Sequence, residues 1–204
     1  MNDKISRTVD SVFWDAKHQE SSNFWLTGSD LEEIKRWHSI SDSLLREKDV
    51  LEIGVGLGNC TAELSQIAKN LYASDISEVA LTKINHLVKK TINTKQLKSL
   101  PSVDVAIAHL VFQHNTNEEI CRIINDVNLK RDTGIFFFQF AEYPNPISDP
   151  INSFIEQKNH FFRSRLEIED IVQKTNKKII NISSPHYFGH PWYLNWYFVQ
   201  VNQP

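Results

Sequence analysis

Three of the chain's six glycines stand within five residues, in Gly54-Val-Gly-Leu-Gly58. An apolar run at 49–54 precedes them, and residues 59–68 carry apolar side chains at helical spacing. Glycine permits a sharp turn and a close ligand approach that a Cβ would block, and the first N–H groups of a following helix lack intrahelical partners. The segment predicts a strand–turn–helix unit whose turn either holds a nucleotide-like ligand or is simply tight.

The chain from residue 49 onward alternates short apolar runs with longer amphipathic ones, which indicates a parallel sheet with helices on both faces. Predicted strands are 49–54, 70–75, 91–94, 103–108 and 135–140, and predicted helices are 59–68, 77–88, 117–128 and 164–175. Two further strands, 178–183 and 195–201, follow one another without a helix and should pair antiparallel. Residues 1–48 are interpreted as an N-terminal helical cover, and residues 49–204 as one compact domain.

Two carboxylates flank the glycine turn in the predicted sheet. Glu52 lies two residues before the first glycine, and Asp75 closes the second strand. An acid at the end of that strand accepts hydrogen bonds from both hydroxyls of a ribose, and the alternative for Asp75 is a cap of the next helix alone. A dinucleotide fingerprint requires a third glycine where Asn59 stands, which disfavours a nicotinamide cofactor and an oxidoreductase.

Four blocks resemble the class I S-adenosylmethionine (SAM)-dependent methyltransferases. They are Val50-Leu-Glu-Ile-Gly-Val-Gly-Leu-Gly-Asn59, Tyr72-Ala-Ser-Asp-Ile-Ser77, Leu100-Pro-Ser-Val-Asp-Val-Ala-Ile-Ala-His109 and Thr133-Gly-Ile-Phe-Phe-Phe138. The resemblance implies an α/β Rossmann-like fold with a seven-stranded, mostly parallel sheet of order 3-2-1-4-5-7-6 and an antiparallel strand 7. It also implies transfer of a methyl group from SAM, with S-adenosylhomocysteine (SAH) as product.

The resemblance assigns the cofactor residues one by one. Glu52 lies near the methionine amino group, Gly54, Gly56 and Gly58 near the amino-acid moiety, Asp75 at the ribose, Ile76, Gln96 and Leu97 at the adenine, and His109 beside the cofactor at the end of strand four. Many members carry Asp-Ala-x-x-Leu-Pro where this chain has Gln96-Leu-Lys-Ser-Leu-Pro101. The amide oxygen of Gln96 can accept the same hydrogen bond from the adenine amino group, or the side chain is a surface glutamine without a partner.

Methyl transfer to a hydroxyl benefits from a base, and histidine titrates near neutral pH. His109 and His114 follow strand four, where open α/β sheets bind their ligands, and His186 and His190 lie in the loop that joins the last two strands. All four are candidate catalytic residues, and each is alternatively a structural histidine.

Aromatic and acidic residues in the same regions are candidates for binding the acceptor. They are Trp14, His18 and Trp25 in the N-terminal cover, Glu142 and Tyr143 after strand five, and Trp192 in the last loop. The alternative for each is ordinary packing against the sheet.

The charge and composition of the chain limit the kinds of ligand and partner that it is expected to bind. The net charge of -3 without a basic run disfavours nucleic acid, and Cys60 and Cys121 have neither disulfide-framework nor zinc spacing. No acidic cluster follows strand four, and no apolar run reaches membrane-spanning length. The sequence therefore favours a cytoplasmic, metal-independent enzyme acting on a small molecule, including sugar or surface-polysaccharide hydroxyls, with a noncatalytic SAM-binding module as the alternative.

Overall fold

The computed structural model describes residues 11–20, 43–142, 161, 163–183, 186–189 and 192–201, with the backbone alone at 20, 141, 186–189 and 192–195. Its strands are β1 (Asp49–Ile53), β2 (Asn70–Asp75), β3 (Lys90–Asn93), β4 (Val105–Ala108), β5 (Ile135–Glu142), β6 (Lys177–Ile182), β7 (His186–Gly189) and β8 (Trp192–Val201). Its α-helices are α1 (Ser11–Glu20), α2 (Asn59–Ile67), α3 (Glu78–Ile84), α4 (Asn117–Asp126) and α5 (Arg165–Gln173).

The strands form one sheet of order β3-β2-β1-β4-β5-β8-β6, with β7 paired to β8 beside this path. The first five strands are parallel, and β8 runs antiparallel to β5 and β6. This arrangement confirms the predicted fold class, because β8 takes the place of the predicted seventh strand. The carboxyl ends of β1, β2 and β4 meet at one edge of the sheet.

The sequence explains where these elements begin. Helix α3 starts after Ser77, whose hydroxyl accepts a hydrogen bond from the Ala80 N–H, and Thr116 caps α4 in the same way. Ser164 and Glu167 form a capping box at the start of α5. Strand β4 is buried along its whole length, as expected for a central parallel strand covered on both faces.

The core has two layers, one on each face of the sheet. Helices α4 and α5 pack their apolar side chains against one face, together with Phe136, Phe138 and Tyr197. Helices α2 and α3 cover the other face. Within the part of the chain that the structure describes, no helix combines the length and apolarity needed to cross a membrane.

The loop predicted between the last two strands is partly wrong. Residues 186–189 form β7, which pairs with the beginning of β8 as a short hairpin, and β8 starts at Trp192 rather than at residue 195. The aromatic residues of this region favour extended structure, and the segment therefore forms a strand where a loop was predicted. Other element boundaries either match the predicted ones or differ from them by at most four residues.

Arg163 connects the segment after β4 to the stretch before α5. Its buried guanidinium donates to the carbonyl of Asn115 (2.6 Å), the amide oxygen of Asn117 (2.8 Å) and the carbonyl of Phe112 (3.3 Å). It also lies over the ring of Phe140, 5.8 Å from the centroid. Burial lowers the pKa of Arg163 to about 10, so the group stays charged at neutral pH.

We expect Arg163→Leu to lower the free energy of unfolding by about 2–4 kcal/mol, because one buried and two part-buried acceptors lose the donor that the buried guanidinium supplies. Urea denaturation measures the change. Arg131→Leu, at an exposed arginine, is the matched control and should shift stability by no more than about 0.5 kcal/mol. Equal losses in the two variants would contradict the role assigned to Arg163.

Candidate functional site

The glycine turn lies at the carboxyl end of β1 and leads into α2. All three glycines have positive φ, at 73°, 52° and 86° for Gly54, Gly56 and Gly58. A Cβ on Gly54 would lie 2.3 Å from a methyl of Val111, and one on Gly58 would lie 2.4 Å from a methyl of Ile84. These two glycines therefore allow neighbouring segments to approach the turn.

Gly56 differs from the other two glycines. A Cβ placed on it would meet only the imidazole of His18, at 4.0 Å. Its N–H donates to a carboxylate oxygen of Asp75 across 3.1 Å. The open side of the turn is therefore at Gly56, next to Asp75.

Asp75 is buried at the carboxyl end of β2, where its second oxygen accepts from the Ser77 N–H at 2.9 Å. Burial raises the pKa of Asp75, and the peptide N–H donors oppose that rise. The carboxylate thus links the glycine turn to the start of α3, in the place where the sequence predicts a ribose acceptor.

Glu52 lies beneath the turn on the face of the sheet that α2 covers. It is buried beside Thr61 and Cys60, and its Oε2 atom has no hydrogen-bond partner. Burial, reinforced by the charge of Asp75, raises the pKa of Glu52 to about 8, so the side chain is mainly neutral at pH 7. A carboxyl group in this condition is suited to face a cation, which would favour its ionised form.

Helix α1 lies against α3 at the same edge of the sheet. Asp15 accepts from the Ser77 hydroxyl (2.6 Å) and the Val79 N–H (3.1 Å), and Lys83 donates to the carbonyl of His18 (2.6 Å). These contacts fix the position of α1 beside the glycine turn.

Three of the predicted residues form one aromatic cluster there. The ring of Trp14 is near-parallel to the ring of His18, at 6.0 Å between centroids, and edge-on to the ring of His114, at 5.1 Å. His114 lies in a 3₁₀ turn, Phe112–His114, and not at the start of α4 as predicted, because Thr116 caps that helix later. Trp25 lies outside the described residues.

His109 has different surroundings from His114. Its ring stacks on the ring of Trp196, 5.6 Å away between centroids, and its Nε2 atom is buried without a hydrogen-bond partner. Burial lowers the pKa of His109 to about 4, so the ring is neutral and weakly basic at pH 7. The next residue, Leu110, has a φ of 53°, a strained backbone of the kind that clusters at functional sites.

The acidic candidate after β5 is already paired within the protein. Glu142 is buried, accepts a hydrogen bond from the hydroxyl of Tyr197 and lies 3.6 Å from the guanidinium of Arg165. This carboxylate therefore links the end of β5 to β8 and to the start of α5. Tyr143 and His190 lie outside the described residues, and of His186 and Trp192 only the backbone is described, in β7 and β8.

The three residues predicted at the adenine end differ in their exposure. Leu97 is fully buried in the core, which leaves its side chain no surface to offer, while Gln96 is exposed and Ile76 is half-buried. Asn93, which is not among the residues predicted from the sequence, closes β3 opposite Asp75 and donates to the Ile76 carbonyl at 3.4 Å. Its position at the end of the strand next to β2 is the feature of the sequence that could have indicated it.

Within the described residues, no group of three or more histidine, cysteine, aspartate or glutamate side chains is arranged to hold a metal ion.

Comparison with known proteins gives one sequence family and many similar structures. Residues 51–129 match the profile of a methyltransferase domain family, while no curated protein matches the sequence significantly. The solved structure of DhpI in complex with SAH is 15% identical and has a TM-score of 0.68, with 98% of each chain covered.

Two further structures have the same fold. Magnesium protoporphyrin IX methyltransferase (ChlM) from Synechocystis PCC 6803 with bound SAM is 16% identical, with a TM-score of 0.66 and coverage of 96% of this chain and 97% of that one. The N-methyltransferase NodS from Bradyrhizobium japonicum WM9 is 14% identical, with a TM-score of 0.63 and coverage of 85% and 97%. At these identities the comparison establishes the fold.

We expect Glu52→Gln to stabilise the unliganded protein relative to wild type by about 1–3 kcal/mol at pH 8. The unfolded chain ionises this carboxyl near its ordinary pKa of 4.5, whereas the folded protein holds it protonated up to about 8. Wild-type stability therefore carries a penalty that grows as pH rises from about 4.5 to 8 and then levels off.

Urea denaturation at pH 5, 6.5 and 8 measures the difference between the two proteins. Glu118→Gln, at an exposed glutamate, is the control and should show no such pH-dependent gain. A stability difference between Glu52→Gln and wild type that stays constant with pH would contradict the raised pKa.

Proposed function

We propose that this chain binds SAM and transfers its methyl group to a hydroxyl of a small molecule. Its residues 51–129 and its fold place it among the class I SAM-dependent methyltransferases. The observation that carries the proposal is the pairing of the buried Asp75 carboxylate with the N–H of Gly56 at the carboxyl edge of the sheet. A ligand that presents vicinal hydroxyls to Asp75 and an amino-acid end to the turn fits this pairing.

The residues present fit SAM at both of its ends. Asp75 offers acceptors to ribose hydroxyls, and Asn93 and Ile76 lie beside it for the adenine. Glu52 offers an unpartnered oxygen below the turn, where the cofactor's ammonium group would favour its ionised form. Since this carboxyl is mainly protonated without a ligand, binding at pH 7 should release a proton.

SAM supplies a sulfonium that is already a good electrophile, so the protein's main task is to orient the acceptor and to exclude water. We assign the acceptor side to the segment after β4 and to α1, which together carry His109, His114 and Trp14. A neutral imidazole can accept the proton of a hydroxyl, and both His109 and His114 remain candidates for that role.

A small neutral acceptor, including a sugar or surface-polysaccharide residue, agrees with the net charge of -3 and the absence of a basic run in the sequence. Such an acceptor needs no metal ion. His186, His190 and Trp192 are candidates from the last loop, and Trp25 and Tyr143 remain proposed acceptor contacts.

We expect Gly56→Val and Asp75→Ala to weaken SAH binding by at least about tenfold. Valine at Gly56 is strained at a φ of 52° and fills the open side of the turn, and alanine at residue 75 removes the ribose acceptor. Isothermal titration measures both affinities, with the exposed Asp132→Ala as the matched control. Wild-type affinity in both variants would overturn the cofactor site.

We expect at least one alanine variant among His109, His114, His186 and His190 to lose roughly 10²–10⁴-fold in methyl-transfer rate at pH 7. The measurement is single-turnover transfer from methyl-labelled SAM, after a panel of hydroxyl compounds has been screened for an acceptor. SAH affinity should stay within a few-fold of wild type. The exposed His86→Ala is the control, and near-normal rates in all four variants would exclude a histidine base.

A further inference from the structure

His18 has a buried side chain with an unmet hydrogen-bonding need. Only 4% of the residue is exposed, and its Nδ1 atom has no hydrogen-bond partner. Buried polar side-chain atoms nearly always have partners, and a group without one calls for an explanation, such as a ligand that completes it. The stacking of His18 on Trp14 accounts for the ring but not for its Nδ1 atom.

The ring of His18 is turned toward the glycine turn. The other ring nitrogen, Nε2, lies 4.0 Å from the position that a Cβ on Gly56 would occupy, whereas the corresponding positions on Gly54 and Gly58 are filled by Val111 and Ile84. The open side of the turn is therefore bounded by His18.

The position of His18 is fixed rather than incidental. Lys83 donates to its carbonyl, and one turn earlier Asp15 accepts from the Ser77 hydroxyl and from the Val79 N–H. Ser77 also donates its N–H to Asp75, so the anchor of α1 and the predicted ribose acceptor are attached to the same residue. The imidazole and the Asp75 carboxylate face the same corner of the site.

The charges in this corner indicate which part of the cofactor can lie there. His18 is surrounded by the carboxylates of Asp75 and Asp15 and by the ammonium of Lys83. Asp75 would repel the cofactor's own carboxylate, while a ribose hydroxyl is neutral. A hydroxyl can also form a hydrogen bond with either tautomer of a neutral imidazole, because a hydroxyl both donates and accepts.

We propose that His18 hydrogen-bonds a ribose hydroxyl of the cofactor that Asp75 also holds, so that α1 completes the nucleoside part of the site. The inference rests on the proposed function. It moves His18 from the acceptor side, where sequence analysis placed it, to the cofactor side, and it leaves Trp14 and His114 to contact the acceptor.

The test compares two ligands that share the ribose. SAH contains both the nucleoside and the amino-acid end, whereas 5′-methylthioadenosine lacks the amino-acid end. Isothermal titration of wild type and His18→Leu with each ligand should show affinities about 5–30-fold weaker for both ligands in the variant, the loss expected for one hydrogen bond. Leucine fills the space of the ring without offering a hydrogen bond, so a packing role predicts little loss.

Two further variants sharpen the test. His18→Asn retains a polar amide near the Nδ1 position and should recover part of the affinity that His18→Leu loses. In combination with Asp75→Asn, His18→Leu should cost less than it does alone, because both side chains bind one hydroxyl. His86→Ala is the control histidine and should bind both ligands like wild type.

The outcomes separate this inference from the proposed function. If wild type binds neither ligand, the proposed cofactor is wrong. If wild type binds SAH and His18→Leu weakens SAH alone, or weakens neither ligand, the ribose contact is wrong while the cofactor assignment stands. Full additivity of His18→Leu and Asp75→Asn would also overturn the shared hydroxyl.

Discussion

The hydrogen bond from the Gly56 N–H to the Asp75 carboxylate holds the site together. It spans the carboxyl ends of two neighbouring parallel strands, and the parallel register of β1 and β2 makes it possible, because Ile53 lies opposite Ser74 one residue before each feature begins. The same carboxylate receives the Ser77 N–H at the start of α3. A change in strand register by one residue would turn Asp75 into the core and separate the turn from its partner.

Several polar groups at this edge are buried before any ligand arrives. One side-chain atom has no hydrogen-bond partner in each of Glu52, His18 and His109. Burial raises the pKa of Glu52 and lowers the pKa of the two histidines, which favours the neutral form of each. Such groups lower stability, and a folded protein retains them where function requires it. They lie beside the glycine turn and after β4, whereas the buried Arg163 and Glu142, on the other face of the sheet, form hydrogen bonds with protein partners.

Local patterns in the sequence were sufficient to predict the glycine turn and the buried strands, because each depends on residues only a few positions apart. The sheet order came from the family resemblance, not from periodicity. Strand β7 was missed because a hairpin of aromatic residues has no alternating pattern to distinguish it from a loop. The surroundings of His109 were not predictable, since they depend on Trp196, which is distant in sequence and adjacent in the sheet through β5. The position of Asn93 opposite Asp75 likewise follows from the pairing of β3 with β2.

Helix α1 shows how a weak local signal becomes important in the folded protein. Its ten residues carry no strong amphipathic pattern, and a helix of this length is marginal in isolation. It is placed by specific polar contacts at Asp15 and at the carbonyl of His18, not by a continuous apolar stripe. Because one of those contacts is made to Ser77, whose N–H donates to Asp75, the helix can separate from the site only by breaking a bond next to Asp75. Occupancy of the proposed ribose site and docking of α1 should therefore be coupled, so that whatever loosens one weakens the other.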